Sequence, residues 1–186
     1  GAGASLEATI PHSAAMIKEV EKLIQEEDEW SKFRDLYNYV RSSIYHSDGI
    51  HGKFDSQVNY NIERLVNVLG EIKQKNEHVL YPFVGAWNPR LVEVADKNFE
   101  AVGLLRNAIV QRLRKTWIIP KDYRKANYFQ GLASFQKEYE HPLRVFTLNY
   151  DLCIEKTCKE VPADNGSNEI RKLIIERGFD ETGRKW

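Results

Sequence analysis

Two short segments of the sequence carry residue types that can bind a ligand. The first is Gly1-Ala2-Gly3-Ala4-Ser5, a run with almost no side-chain atoms. Small residues allow a backbone to approach a ligand closely, and successive free amides can hold a phosphate group. This chemistry predicts a phosphate-binding loop. The same composition is typical of a cloning scar or a flexible tail, and the segment taken alone favours that interpretation.

The second segment places polar side chains directly after a predicted strand. Residues 143–148 are short, rich in β-forming residues and follow a proline, so we expect a buried strand. Asn149-Tyr150-Asp151 closes it. Open α/β sheets bind ligands at the carboxyl ends of their strands, which makes Asn149 and Asp151 candidate site residues. The alternative is a polar strand end in which Asp151 caps the following helix.

The elements that must position these segments are predicted to be mostly helices. Apolar residues recur at helical spacing in several regions, with Ser13 as the expected cap of the first. These regions are 11–26, 30–45, 58–72, 99–117, 122–139 and 152–158, and a further helix is predicted over 168–177. Residues 46–54 contain Asp48-Gly49 and His51-Gly52 and are predicted to form a loop.

Composition limits the class of protein. The chain has 186 residues, 42% hydrophobic and 29% charged, which is enough for one domain with a core and marginal for two. Basic and acidic residues number 27 each, which argues against a protein whose main task is coating nucleic acid. No apolar run approaches the roughly 18 residues of a membrane span, and no signal peptide is recognised. We therefore expect a cytoplasmic protein that does not act at a membrane.

Two further features of composition bear on possible sites. Cys153 and Cys158 are too few for a four-thiolate zinc site, and their spacing favours two core thiols. Charge is unevenly placed, with six acids in residues 19–29 and seven basic residues in 106–125. Solvated helix faces are the simpler explanation of these runs, and a surface for a protein or an anionic ligand is the alternative.

Together, the two ligand-binding segments resemble the sirtuin-like family of NAD-consuming domains. That family opens with Gly-Ala-Gly-x-Ser, continues after three residues with Gly-Ile-Pro-Asp, and carries Thr-x-Asn-x-Asp at a later strand end. The chain matches without a gap through Gly1-Ala2-Gly3-Ala4-Ser5, then Thr9-Ile10-Pro11-His12, and later Thr147, Asn149 and Asp151. It departs from the pattern at Thr9, where the family has glycine, and at His12, where the family has aspartate.

The resemblance implies a fold and an activity. The fold would be α/β, a Rossmann-like sirtuin-type core in which 145–148 is a buried strand, with a large helical insertion at about 12–142 that makes helix dominate. The insertion resembles those of sirtuin-like domains in bacterial antiviral defence proteins, which destroy NAD during infection. The implied activity is NAD+ glycohydrolase, releasing nicotinamide and ADP-ribose, within a single domain spanning 1–186. Self-association or a sensor partner is implied as well, whereas zinc is not expected.

The resemblance also implies roles for individual residues. The cofactor-binding residues would be Gly1, Ala2, Gly3, Ser5, Pro11, Thr147 and Asp151, with the opening loop on the pyrophosphate of NAD and Asp151 on the nicotinamide carboxamide. Asn149 would be catalytic, contacting the nicotinamide ribose and placing a water or acceptor. Bond cleavage develops positive charge at the ribose carbon, so a neutral amide that orients water and a fixed carboxylate that favours the cation suit the reaction.

One part of the family's machinery has no counterpart. Its general base is a histidine in a His-Gly pair beyond the asparagine-containing strand. No histidine follows Asn149 in the 186 residues, and His51-Gly52 comes before it. We therefore expect the domain to be incomplete at both ends and the 186 residues alone to turn over little or no NAD. The alternative function is a non-catalytic module that binds NAD, ADP-ribose or a protein. In either case the two motifs are expected to line one cleft.

Overall fold

A computed structural model of the chain describes residues 2–54, 60–75, 88–137, 143–147, 149–158, 160–162 and 170–172. The chain divides into two compact units. The helical unit is Pro11–Thr116, and the terminal unit joins Gly1–Ile10 to Trp117–Trp186.

The helical unit contains six α-helices in its described part. They are α1 (Ser13–Glu26), α2 (Asp28–Ser31), α3 (Arg34–Ile50), α4 (Ile62–Lys73), α5 (Pro89–Ala95) and α6 (Glu100–Arg112). A short 3₁₀ turn, Lys97–Phe99, precedes α6, and a π-helical turn, Leu113–Trp117, follows it. The buried residues of α1, α3, α4 and α6 recur at helical spacing, which is why one face of each helix packs inward.

Helices α4 and α6 pack closely against each other. A methyl group added at Gly103 would lie 3.4 Å from Cε of Lys73, and one added at Gly70 would lie 3.5 Å from Nε of Arg106. The two glycines therefore leave room for the long stems of Lys73 and Arg106. Between them the helices bury apolar side chains completely; these are Leu65, Leu69, Val102, Leu105 and Ile109.

A buried chain of hydroxyl groups ties α3 to α1. Tyr60 donates a hydrogen bond to Tyr37 at 3.1 Å, and Tyr37 donates to Glu21 of α1, also at 3.1 Å. Arg41 completes the chain with an ion pair to Glu21 at 3.1 Å. Burial raises the pKa of both tyrosines, so both hydroxyls remain protonated donors at neutral pH.

The predicted loop over 46–54 is wrong in its first half, because α3 continues to Ile50. Asp48 is buried and accepts two hydrogen bonds from the guanidinium of Arg64 in α4, at 2.6 and 2.7 Å. These hydrogen bonds lower the pKa of the Asp48 carboxyl. The ion pair holds the end of α3 against α4 and outweighs the poor helix propensity of Gly49. The chain turns afterwards, at Gly52, whose φ of 70° suits glycine.

The terminal unit combines short helices with one pair of strands. After the 3₁₀ turn Ala2–Ser5, its described elements are a second 3₁₀ segment (Tyr123–Phe129), α7 (Gln130–Lys137), α8 (Cys153–Cys158), β1 (Glu160–Pro162) and β2 (Ile170–Lys172). Helix α8 packs against the segment Tyr123–Phe129, since Thr157 donates a hydrogen bond to the Tyr123 carbonyl at 3.3 Å. Strands β1 and β2 are antiparallel, with Val161 opposite Arg171.

The Rossmann-like sirtuin-type core is contradicted, although the predominance of helix is confirmed. Within the described ranges the strands are β1 and β2, and they form no parallel sheet. The predicted helix over 168–177 is wrong at Ile170–Lys172, which forms β2. In an α/β core, parallel strands bury both faces under helices, and a two-stranded antiparallel pair cannot supply that arrangement.

The predicted buried strand over 143–148 is also wrong. Residues 143–147 have no regular secondary structure, and Leu148 lies outside the described residues. Val145 is 46% exposed and Phe146 is 81% exposed. β-Branched and aromatic residues favour strands only where neighbouring strands satisfy the backbone and a core covers the side chains. No described strand pairs with this segment.

Candidate functional site

The opening segment folds as a tight turn. Ala2–Ser5 is a 3₁₀ turn, in which the Gly3 carbonyl accepts a hydrogen bond from the Leu6 amide at 3.4 Å. The Ser5 carbonyl accepts another from the Ile10 amide at 3.3 Å. No described atom beyond the adjacent residues comes within 4 Å of the position that a Gly3 side chain would take. The face of the turn at Gly3 is therefore open to a ligand, while Gly1 lies outside the described residues.

Thr9 has a backbone conformation that favours glycine. Its φ is 67°, in the left-handed region, where a β-branched residue is rarely found. In the sirtuin-like pattern this position is the glycine of Gly-Ile-Pro-Asp. Thr9 therefore holds a backbone conformation that glycine, the residue of the sirtuin-like pattern at this position, would adopt with less strain.

Replacing Thr9 by glycine is expected to raise the free energy of unfolding by up to about 1 kcal/mol. The left-handed conformation costs a residue with a side chain about 1–2 kcal/mol, and glycine loses part of this gain through its greater freedom in the unfolded chain. Urea denaturation followed by circular dichroism measures the change. Thr9→Val keeps the β-branch and hence the strain, so it should show no gain. A destabilised Thr9→Gly variant would contradict the assignment.

The second motif forms two local hydrogen bonds. The Thr147 hydroxyl accepts from the Asn149 amide at 3.0 Å, and Asp151 Oδ1 accepts from the Cys153 amide, also at 3.0 Å. Asp151 therefore satisfies the free amide of the first residue of α8, a role close to the helix cap that was the structural alternative considered from the sequence. Thr147 is exposed, whereas Asn149 and Asp151 are half-buried. Capping employs one oxygen of the Asp151 carboxylate, which has about four lone-pair positions in all.

The two motifs meet at Cys153. This residue is fully buried in an apolar cluster with Ala8, Ile10 and Ala126. Burial raises the pKa of the Cys153 thiol to about 12. The Asp151 carboxylate raises this pKa further, whereas the neighbouring Ser5 hydroxyl lowers it. Asp151 of the second motif thus holds the Cys153 backbone amide, and Ser5 of the first motif lies beside the Cys153 thiol. The thiol stays protonated at neutral pH, as expected for a buried thiol of the core.

The Ser5 hydroxyl is a buried polar group without a good hydrogen bond. Ser5 has no exposed surface, and its Oγ has no hydrogen-bond partner within the described part of the chain. The Cys153 thiol beside it is a weak donor and a weak acceptor, and it does not satisfy the hydroxyl. Leaving such a group unpaired costs about 1–3 kcal/mol. A water molecule or a ligand group that reached Ser5 would remove this cost.

The remaining residues named from the sequence lie in different places. Ala2, Gly3, Ser5, Thr147, Asn149 and Asp151 all belong to the terminal unit, whereas Pro11 is the first residue of the helical unit. His12 caps α1 by accepting a hydrogen bond from the Ala15 amide at 3.3 Å, which places the cap one residue before the expected Ser13. The interpretation of Cys153 and Cys158 as core thiols is confirmed, since both are buried and free.

The described residues contain no metal-binding group and no membrane-spanning helix. No group of three or more histidine, cysteine, aspartate or glutamate residues within the described ranges is placed to hold a metal ion. No described helix is long and apolar enough to cross a membrane. The acidic and basic runs of the sequence meet within the helical unit, where Arg112 forms an ion pair with Glu19 at 2.7 Å. At this point, therefore, charge is neutralised within the chain.

Comparison with known proteins yields no match: no family model, no curated protein and no solved structure is significantly similar to this chain. The resemblance to sirtuin-like domains therefore rests on the two motifs.

One residue beside the site was missed from the sequence. Tyr128 lies on the 3₁₀ segment that packs against α8, and its ring is half exposed. Its neighbour Phe129 packs against the apolar cluster that contains Cys153. The spacing of Tyr128 in the sequence does not distinguish it from the other aromatic residues of the chain. Its position follows only from the packing of the neighbouring Phe129 against the cluster.

Proposed function

We propose that this chain binds NAD+ and takes part in its cleavage to nicotinamide and ADP-ribose. The observation that carries the proposal is that Ile10 of the first motif packs in one buried cluster with Cys153, whose amide donates a hydrogen bond to Asp151 of the second motif. Ile10 and Asp151 belong to the two motifs that resemble sirtuin-like domains, and they are far apart in the sequence. A chance resemblance in two unrelated segments gives no reason for them to meet.

The arrangement suits the parts of NAD+ that the motifs would bind. Small residues on the turn Ala2–Ser5 leave the backbone accessible to a pyrophosphate group. The Asp151 carboxylate keeps acceptor capacity beyond its capping bond, which suits the amide donor of nicotinamide. Asn149 lies two residues before Asp151, and its amide would orient a water or a ribose hydroxyl.

The proposal does not rest on a sirtuin-type fold. The exposed segment 143–147 and the lack of a parallel sheet among the described elements remove that support. What supports the proposal is the local arrangement of the motif residues in the terminal unit. The alternative is a non-catalytic module that binds NAD or ADP-ribose.

Binding is tested with the conservative variant Asp151→Asn. Asparagine caps a helix about as well as aspartate, so α8 should remain intact. We expect NAD+ affinity to fall about 10- to 100-fold, because a charge-assisted hydrogen bond is lost. Isothermal titration calorimetry measures the dissociation constant, with Ser43→Ala in α3 as a surface control that should leave it unchanged. Absence of saturable NAD+ binding by the parent protein at millimolar concentrations would overturn the proposal.

The biological setting follows from the same resemblance. We propose that NAD+ depletion by the protein serves antiviral defence in the bacterial cytoplasm, and that the protein acts with further copies of itself or with a sensor. Measurement of cellular NAD+ during phage infection, with the parent and with Asp151→Asn, tests this setting. An NAD+ level that falls equally in both strains would contradict it.

A further inference from the structure

The 3₁₀ segment Tyr123–Phe129 and the residues before it carry basic and aromatic side chains that the candidate site does not use. Residues 121–128 contain one acidic residue and three basic residues, all three of which are exposed; these are Lys121, Arg124 and Lys125. The same residues include two tyrosines, Tyr123 and Tyr128, which are 41% and 49% exposed. Residues 121–125 belong to the basic run for which the sequence suggests either a solvated face or a surface for an anionic partner.

The 3₁₀ geometry decides which of these side chains point outward. Residues three apart lie above one another in such a helix, so the segment has three rows of side chains. The inward row begins at Tyr123 and contains Ala126, which is fully buried, and Phe129, which packs against the apolar cluster. The other two rows consist of exposed residues; they are Arg124 with Asn127, and Lys125 with Tyr128. Each outward row therefore holds one basic group, and one of them also holds an aromatic ring.

The three basic groups are not neutralised within the described part of the chain. Lys121, Arg124 and Lys125 form no ion pair and no side-chain hydrogen bond with another described residue. Arg112 differs from them, because it lies in the same basic run and forms an ion pair with Glu19 at 2.7 Å. The charge of residues 121–128 is therefore available to a partner that carries several negative charges.

The Tyr128 ring is held in place beside these charges. Its centroid lies 4.7 Å from that of Phe129, with the two planes tilted by 44°, and Phe129 in turn packs against the buried cluster. This contact covers part of the ring and leaves 49% of the residue exposed. Nucleic-acid bases stack on such rings whatever their sequence, because every base has a π-face.

We propose that residues 121–128 form a surface that binds single-stranded nucleic acid. Lys121, Arg124 and Lys125 contact phosphate groups, and Tyr128 stacks on a base. Basic groups interleaved with aromatic rings are the combination that binds a single strand without sequence preference. The surface makes no use of NAD+, so this inference is independent of the proposed function.

Two other polyanionic partners fit the same residues less well. An acidic protein would use the basic groups and give no role to the exposed ring of Tyr128. A duplex keeps its bases stacked on one another, which leaves none of them free to stack on a side chain. The balanced charge of the whole chain agrees with a local surface and not with a protein that coats nucleic acid along its length.

Binding is measured by fluorescence anisotropy of a labelled oligothymidylate of about 12 nucleotides, titrated with the whole chain at several salt concentrations. The matched probe is an abasic strand of the same length, which keeps the phosphates and lacks the bases. We expect the parent to bind the oligothymidylate about 5- to 30-fold more tightly than the abasic strand, because only the former can stack. It should also bind the single strand more tightly than a duplex of the same length.

Two kinds of variant separate the ring from the charges. Tyr128→Leu should bind the oligothymidylate about 5- to 30-fold more weakly with an unchanged salt dependence, whereas Tyr128→Phe should bind as the parent does. Arg124→Gln and Lys125→Gln should each reduce the slope of log Kd against log salt by about 0.7, the value for one phosphate contact on a single strand. The controls Lys18→Gln, exposed on α1, and Phe54→Leu, 81% exposed, should leave both affinity and slope unchanged.

Several results would overturn the inference. One is the absence of saturable oligothymidylate binding by the parent at low salt. Another is equal affinity for the abasic strand or for the duplex, because the ring would then take no part. Equally tight binding of labelled polyglutamate would also overturn it and would indicate an acidic protein as the partner.

A measurement on the unaltered protein guards against misfolded variants. An oligonucleotide that contains iodouracil crosslinks on irradiation to aromatic side chains that stack on the base, and peptide mass mapping locates the product. The crosslink should lie at Tyr128. Crosslinks found only within the helical unit, Pro11–Thr116, would overturn the inference.

Discussion

The Asn149→Ala variant is expected to release nicotinamide from NAD+ about 10²–10³ times more slowly than the parent, which is the usual effect of removing one positioned polar contact at a reacting centre. Asn149 is half-buried and precedes α8, so its removal opens no large cavity in a core. The loss would fall on the positioning of water and the ribose hydroxyls, which depends on a fixed amide.

The measurement is nicotinamide release by chromatography, made on the purified full-length protein under activating conditions. Asn107→Ala provides the control, because Asn107 is an exposed asparagine on α6 in the helical unit. Thermal unfolding of both variants should match the parent. A parental rate for Asn149→Ala, with activity present in the parent, would remove Asn149 from the mechanism. No activity in the parent under any trigger would favour the non-catalytic binding module.

The Leu105→Ala variant is expected to lose about 2–5 kcal/mol of unfolding free energy. Leu105 is fully buried on α6, on the face that packs against α4. Truncation removes apolar contacts and leaves a cavity that closely packed helices fill only in part. Because the side chains of Arg106 and Lys73 already fill the space beside Gly70 and Gly103, the helices have little room to collapse further.

Leu104→Ala is the matched control for this prediction. It removes the same atoms from the adjacent residue, which is 55% exposed, and should change stability by no more than about 0.5 kcal/mol. Urea denaturation followed by circular dichroism measures both variants. Equal losses from the two would show that α6 presents a different face to α4.

Helix periodicity was the part of the sequence that predicted structure best. The apolar repeat over 58–72 predicted a helix, and α4 spans Ile62–Lys73. It begins later than the repeat because the Asn61 side chain accepts a hydrogen bond from the Arg64 amide at 2.9 Å and so caps the helix. The predicted loop at 46–54 failed for a long-range reason, since the ion pair of Asp48 with Arg64 extends α3 through Gly49.

At the candidate site, too, the sequence predicted the local interactions and did not predict the contacts between distant segments. Asp151 as a helix cap was foreseen as an alternative, because a cap needs only a polar side chain at a helix start. The packing of Ile10 and Phe129 around Cys153 was not foreseen. These contacts join segments that are distant in the sequence, and neither spacing nor residue type carries that information.

By itself, the sequence determined most of the described helices and the two core thiols, because these depend on residue type and on spacing within a few turns of chain. Only the tertiary structure decided that residues 143–147 are exposed coil and that Ser5 and Asp151 meet at Cys153. A strand needs partners supplied from elsewhere in the chain, and a cluster needs packing between remote segments. The strand and the cluster both depend on contacts between distant segments, and local sequence patterns do not predict such contacts.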